Sequence, residues 1–306
     1  MNLIFLFIGL TLLVCGAELI VRGSVSFGKK FNVSLFAIGV VIVAGGTSLP
    51  ELASSINAVL ANHSDLAVGA VIGSNIANLI LIMAATSFLS PVDNINQNQI
   101  NQAWINIGLS LILICMSYFF LPFNYLFGLV SIFFLCLIMI LQVKKDSLDV
   151  LDVDKKGDYP FIISLVFIVF GIVLLIYGSN LFVDSAVRIA NNLNISEAII
   201  GVSLVAFGTS LPELAVGIIS AIRGKVAFAL GNVLGSNIYN VLGVLGISSF
   251  FGNFNIPSVI GFTDLFFMSF VTIMILIFMI FVKRLGRTYG SIGLVLYFGY
   301  IYYIYN

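Results

Sequence analysis

"GGTSLPEL", residues 45–52, lies inside a run of apolar residues and sets a proline and a glutamate side by side where a membrane helix ought to continue. Its core, "TSLPEL" (47–52), returns letter for letter at 209–214. A helix breaker followed by a carboxylate, used twice, calls for a physical reason, and the rest of the chain sets the terms.

Of 306 residues, 60% are hydrophobic and 8% charged, with 28 phenylalanines, which is too apolar for a water-soluble fold. A spanning helix needs about 20 apolar residues. Ten such stretches can be drawn, at 2–22, 33–60, 66–90, 103–121, 123–143, 160–183, 195–222, 226–250, 260–282 and 288–305. No segment outside them is long enough to build its own core, so the reading is an all-α integral membrane protein. "MNLIFLFIGL" has no basic residue and no evident small-residue cleavage site, and is read as a retained span rather than a signal peptide. Zero net charge gives no reason to expect nucleic acid as a partner. Cys15, Cys115 and Cys136 lie in apolar spans without metal-site spacing and are expected to be buried small hydrophobes.

If the spans alternate, twelve of the thirteen lysines and arginines fall on one side and only Arg188 on the other. Cytoplasmic loops carry such an excess. Both termini are therefore expected outside a cell (inner or plasma) membrane, with the 144–159 linker in the cytoplasm.

Adding 162 to a position in the first half finds its copy in the second. "GVVIVAGGTSLPELASSI" (39–56) answers "GVSLVAFGTSLPELAVGI" (201–218), "GAVIGSNIAN" (69–78) answers "GNVLGSNIYN" (231–240), and "GAELIV" (16–21) answers "GSNLFV" (178–183). One offset across three blocks is an internal duplication, dividing the chain into 1–143, the linker and 160–306. Five spans per half is an odd number, so the second half must enter the membrane in the opposite sense. Inverted repeats with a site at their interface characterise many secondary transporters.

The stretch 33–60 would be about 42 Å long as an unbroken helix, against a hydrocarbon core of about 30 Å. It must tilt or break, and Pro50 marks the place, since proline lacks an N–H and clashes with the carbonyl four residues back. The carbonyls of Ala44, Gly46 and Thr47 are expected to leave the helix ladder there. Such backbone is tolerated at membrane depth only when buried in protein or lining a wet cavity, and carbonyls at the end of a half-helix favour a cation. Glu51 and Glu213 have no lysine or arginine at comparable depth, and intramembrane carboxylates are costly and functional by default. Two of them across a pseudo-two-fold axis would neutralise one divalent ion. Thr47, Thr209, Ser74, Ser236, Asn78 and Asn240 add neutral oxygens, which suits a hard cation such as Ca2+. The absence of a deep histidine or thiolate disfavours zinc and copper. The plainer alternatives are a capping box at Ser48–Glu51, and close helix packing with amide bonds at the "GSN" blocks.

Other features carry less. Glu18 with Arg22, and Asp184 with Arg188, sit four apart near span ends, where an ion pair is the ordinary outcome. "DVDKKGDY" (152–159) has Lys156 and Ile163 where a calcium loop needs oxygen ligands, so it reads as a solvated linker. His63 is expected to be exposed. "DNINQNQINQ" (93–102) reads as a polar connector without chemistry of its own.

The paired "GTSLPEL…GSNIAN" and "GTSLPEL…GSNIYN" blocks resemble the α-repeats of the cation/Ca2+ antiporter superfamily, in particular the prokaryotic sodium/calcium exchangers. The resemblance covers essentially the whole chain. It implies ten transmembrane helices in two inverted five-helix repeats, with helices 2, 3, 7 and 8 broken around four cation sites. Glu51 and Glu213 would hold Ca2+ with the Thr47 and Thr209 carbonyls. Na+ would use these with Ala44, Ala206, Ser48, Ser210, Ser74 and Ser236, with Asn78 at the centre. Asn240 stands where some relatives carry aspartate, which argues against potassium cotransport. The implied activity is Na+/Ca2+ antiport by alternating access, in a bilayer, as a monomer and without a cofactor. The alternatives are a proton-coupled Ca2+ antiporter and, with less support, a calcium channel; an enzyme is disfavoured because Ser48 and Ser210 have no nearby base.

Overall fold

A computed structural model describes residues 2–146, 159–192, 206–257 and 262–305. Among them the regular structure is all helical. In chain order the helices are α1 (Asn2–Phe31), α2 (Leu35–Thr47), α3 (Leu49–Leu60), α4 (Ser64–Leu89), α5 (Gln97–Tyr118), α6 (Tyr125–Asp146), α7 (Phe161–Asn192), the single turn α8 (Ala206–Thr209), α9 (Leu211–Ile222), α10 (Val226–Ser248), α11 (Thr263–Val282) and α12 (Arg287–Tyr305). Seven are long and apolar enough to cross a membrane by themselves, and α2 with α3 makes an eighth, bent by 41°.

The helices form two layers of burial. In α10 94% of the most apolar stretch is enclosed and in α4 72%, against 28% in α6 and α7, so α4 and α10 form the centre. Outside, large apolar side chains such as Leu3, Phe7, Leu126, Phe133 and Ile162 are exposed, while Asn75, Asn78, Asn232, Asn237 and Asn240 are buried. That inversion fits a lipid solvent, where apolar residues face outward and polar ones bond between helices. It also corrects the expectation for the cysteines: Cys15, Cys115 and Cys136 are all on the exposed surface, since an apolar span does not imply an interior position in such a solvent.

α1 and α7 pack along a seam of small residues. A Cβ added to Gly9 would lie 2.8 Å from the Gly178 carbonyl oxygen, one on Gly16 2.8 Å from that of Gly171, and one on Gly23 2.7 Å from that of Ser164. Partner numbers fall as the α1 numbers rise, so the helices run antiparallel with their backbones touching every second turn. Small residues permit this approach, which gives dispersion contacts where no hydrophobic drive exists between helices in lipid. Two short bridges join loops elsewhere: Val92 with Leu285, and Phe123 with Phe254.

Several boundaries differ from the sequence reading. α1 continues beyond the expected end at 22, through Lys29 and Lys30, and stops where Asn32 takes a positive φ of 53°; charges end a membrane span but not a helix, and asparagine tolerates the left-handed turn. α7 likewise extends past 183 to Asn192. The "polar connector" turns out to be the first turns of α5: Asn96 and Gln99 make a capping box, and Asn98, Gln99 and Gln102 are buried. The expected break in the third and eighth spans is absent, because α4 and α10 run through. Each instead carries a π-helical turn, at Asn78–Ile82 and Tyr239–Leu245. Residues 195–205 of the expected seventh span, and 147–158 of the linker, lie outside the described residues.

Candidate cation site

The bend between α2 and α3 falls at Ser48, with φ −82° and ψ 4°; Ser210 between α8 and α9 has φ −87° and ψ 2°. Both sit in the sparsely allowed bridge region where turn and active-site residues collect. Pro50 and Pro212 occupy the first turns of α3 and α9, the one helical position that tolerates a missing N–H. Neither serine side chain caps its helix, so the capping-box alternative is not realised. The backbone is less open than expected. The Ser48 N–H donates to the Ala44 carbonyl at 3.0 Å and also reaches that of Gly46, because a bend of 41° keeps the preceding turn closed.

The glutamates stand in the first turns of α3 and α9, each 1% exposed. A carboxylate there is favoured by the positive end of the helix dipole. The two are close enough for their charges to act on each other, and the Thr47 and Ser236 side chains lie beside Glu213. No ion pair among the described residues involves either glutamate. Both carboxylate oxygens of Glu51, Oε2 of Glu213, Oδ1 of Asn78, Oδ1 of Asn240, and Oγ of Ser48 and Ser236 are buried without a hydrogen-bond partner. Orphaned buried polar atoms are rare and each costs about 1–3 kcal/mol. These oxygens, with two carboxylates among them, fit a hard cation that would supply the missing partner. The unpartnered Asn232 Nδ2, on the amide whose oxygen meets Thr47, is the one nitrogen among such atoms of the described residues. Thr47 Oγ1 is engaged weakly, with Ala44 O and Asn232 Oδ1, both at 3.4 Å, and Ser210 Oγ donates to Ser74 Oγ at 3.3 Å. Thr209 and Ala206 belong to α8, four and seven residues ahead of Glu213.

Asn78 and Asn240 each bond to an asparagine of the other half. Asn78 Nδ2 donates to Asn237 Oδ1 at 2.8 Å, and Asn240 Nδ2 to Asn75 Oδ1 at 3.0 Å and Ser74 Oγ at 3.1 Å. Staggering by three residues lets each amide reach across to the other central helix. Asn75 and Asn237 were legible, since both stand in the quoted "GSN" blocks at the shared offset; Asn232 was not, because its counterpart is Ala70.

The π-helical turns bear on the same region. A widened turn frees a carbonyl, which must find another donor at membrane depth. Tyr289 donates its hydroxyl to Leu79 O at 2.7 Å, and Tyr239 to Val41 O, in the π-helical turn Gly39–Val43, at 2.8 Å. Gly45 makes room for the Tyr239 ring, whose Cζ would stand 3.0 Å from an added Cβ. Away from the site, Glu18 pairs with Arg22 at 2.5 Å and with Arg223 at the end of α9. Asp184 and Arg188 are exposed and form no such pair among the described residues. His63 is exposed as expected.

The family model described as "Sodium/calcium exchanger protein" matches residues 1–144 and 163–306. An uncharacterized membrane protein of Methanocaldococcus jannaschii is 34% identical over 298 residues, covering 96% of this chain and 94% of its own. The sodium/calcium exchanger MaX1 of Methanosarcina acetivorans is 31% identical, covering 99% of this chain and 97% of its own. Among solved structures, one of the sodium-calcium exchanger NCX_Mj is similar with a TM-score of 0.87 at 31% identity, covering 98% of this chain and 97% of that one.

Proposed function

The chain belongs to the sodium/calcium exchanger family, and from that premise we propose that it is a secondary active antiporter exchanging Na+ for Ca2+ by alternating access. The observation that carries the reading is the pair of buried glutamates, one from each copy of "TSLPEL", without a cationic partner and among orphaned oxygens. Two carboxylates balance one Ca2+. When Ca2+ leaves, the same charges must be compensated again, and several Na+ ions spread over the neutral oxygens of Ser48, Ser74, Ser210, Ser236, Asn78 and Asn240 would do so. The carbonyls of Thr47, Thr209, Ala44 and Ala206 complete the proposed ligand set. An empty site would leave two like charges unbalanced in a poor dielectric, which disfavours the conformational step without cargo. This is the physical origin of coupling.

The proposed architecture is ten spans in two inverted halves, 1–143 and 160–306, around one site. The antiparallel packing of α1 and α7, whose residues correspond at the offset of 162, supports it. The lysine and arginine distribution supports a cell-membrane protein with both termini outside. The duplication of the site within one chain favours function as a monomer over a pore on an oligomer axis, and the transported ions serve as substrates with no resident cofactor.

The test is flux from sealed vesicles holding the purified protein. Ca2+ movement should follow an imposed Na+ gradient and ignore a pH gradient and K+. Ca2+ movement driven by pH alone would replace this reading with proton-coupled antiport.

A further inference from the structure

An asparagine amide has an attractive and a repulsive end for a cation, and the bonds between the halves decide which end is left free. Asn78 and Asn240 each give their NH2 end to an asparagine of the other half, at 2.8 Å to Asn237 and 3.0 Å to Asn75. Their Oδ1 atoms are thereby left buried and unpartnered. All four side chains are at most 3% exposed, so bulk water does not compete for these bonds. We propose that Asn75 and Asn237 are positioning residues of the cation site: by accepting the NH2 ends, they turn the carbonyl ends of Asn240 and Asn78 toward the ion. This rests on the antiporter reading and names two residues that need not touch the ion themselves.

The chemistry makes the arrangement directional. A serine hydroxyl rotates to donate or accept, but Asn237 Oδ1 only accepts. It therefore cannot stabilise the flipped form of Asn78, which would aim NH2 at the cation. Asn237 is oriented in turn, because its Nδ2 donates to the Asn75 backbone carbonyl at 3.2 Å. Asn75 is held less firmly, its Nδ2 meeting only the weak acceptor Met268 Sδ at 3.9 Å. The two ends are also unequal in what they hold. The Asn240 amide has a second acceptor in Ser74 Oγ, at 3.1 Å, so it keeps an orienting bond when Asn75 is lost. The bond between Asn78 and Asn237 has no such reserve among the hydrogen bonds of Asn78 Nδ2.

The test is calorimetric titration of the full chain in lipid nanodiscs with Ca2+ and, separately, with Na+, beside ion-free thermal unfolding. Asn237→Leu, similar in shape but without the acceptor, should weaken Ca2+ binding about tenfold, the upper end of the scale for one neutral amide hydrogen bond. Asn75→Leu should weaken it less, by about threefold, because one bond to Asn240 survives. Asn237→Asp keeps the acceptor and should bind at least within about threefold of the parent. The ion-free unfolding temperature should fall below the parent's in the leucine variants, since each strands a buried N–H donor, so affinities are compared below the unfolding temperature of every variant. The decisive arm is coupling: in an Asn78→Ala background nothing remains for Asn237 to orient, so adding Asn237→Leu should change affinity less than about twofold. Full additivity of those two substitutions, or an Asn237→Asp variant as weak as Asn237→Leu, would overturn the proposal. A parent protein that binds neither Ca2+ nor Na+ would instead overturn the antiporter reading on which it rests.

Discussion

The bend at Ser48 and the bend at Ser210 are the same chemistry set in different surroundings. Both keep "TSLPEL", the bridge-region serine, the glutamate in the next helical turn and an amide that crosses to the other central helix. Their neighbours diverge. A Cβ at Gly235 would press to 2.7 Å from Val40 Cα, whereas one at the corresponding Gly73 would meet nothing within 4 Å. Tyr289 caps a freed carbonyl, and its counterpart is Phe127. Gly45 receives the ring of Tyr239, while the matching positions hold Phe207 and Ala77, large and small exchanged. The candidate ligands are duplicated, and these immediate neighbours are not. In the proposed alternating-access cycle the ligands would serve the same cargo in either orientation, while the two faces would never be in the same state.

The largest effect should come from the shared part. Glu51→Gln and Glu213→Gln should each reduce Ca2+ transport by about a hundredfold or more, because one charge lost beside a cation at 4 Å is on the order of 4 kcal/mol at an effective dielectric of 20. Proteoliposome uptake measures this, and near-normal transport by either variant would break the equivalence of the two copies. The divergent part should show unequal effects on stability. Gly235→Ala should cost about 1–3 kcal/mol through overpacking, whereas Gly73→Ala should be neutral or stabilising by up to about 1 kcal/mol from helix propensity. Denaturation of the two variants in the same detergent gives the comparison, and equal losses would mean that the surroundings are alike after all. The smallest contrast is between the rings. Tyr289→Phe should cost about 1 kcal/mol by stranding the Leu79 carbonyl, while Phe127→Tyr should stay within about 0.5 kcal/mol. A silent Tyr289→Phe would show that the carbonyl of the widened turn finds another donor.

The reach of the sequence can be judged from the same residues. Pro50 and Pro212 marked both bends, because a missing N–H has the same consequence in any context, and the buried glutamates followed from the cost of charge at that depth. The side of the helix was harder to read. Cysteines in apolar stretches were expected inside, but a lipid solvent removes the difference between apolar and buried. "DNINQNQINQ" looked like a loop, yet Asn96 and Gln99 start a helix there whose next turns bury amides. Polarity marks the membrane boundary for a span but does not end the helix. The widened turns of α4 and α10 left no local signature. In α4 the freed carbonyl of Leu79 is met by Tyr289 from a distant helix, and separation along the chain hides that partner.

The glycine seam between α1 and α7 has an ancestral reading. Adding 162 to Gly9 and subtracting it from Gly178 gives Gly171 and Gly16, which are again in contact. The bridge between Val92 and Leu285 becomes, in the same way, the bridge between Phe254 and Phe123. A contact made twice with its partners exchanged is the mark of an isologous interface between two identical subunits. Each half therefore carries both sides of the surface by which it holds its counterpart, as a homodimer of half-length chains would require. Joining the copies in one chain fixes their local concentration at a high value whatever the abundance of the protein. It also frees position 73 to differ from 235, and 127 from 289, a freedom that two copies of one gene product do not have.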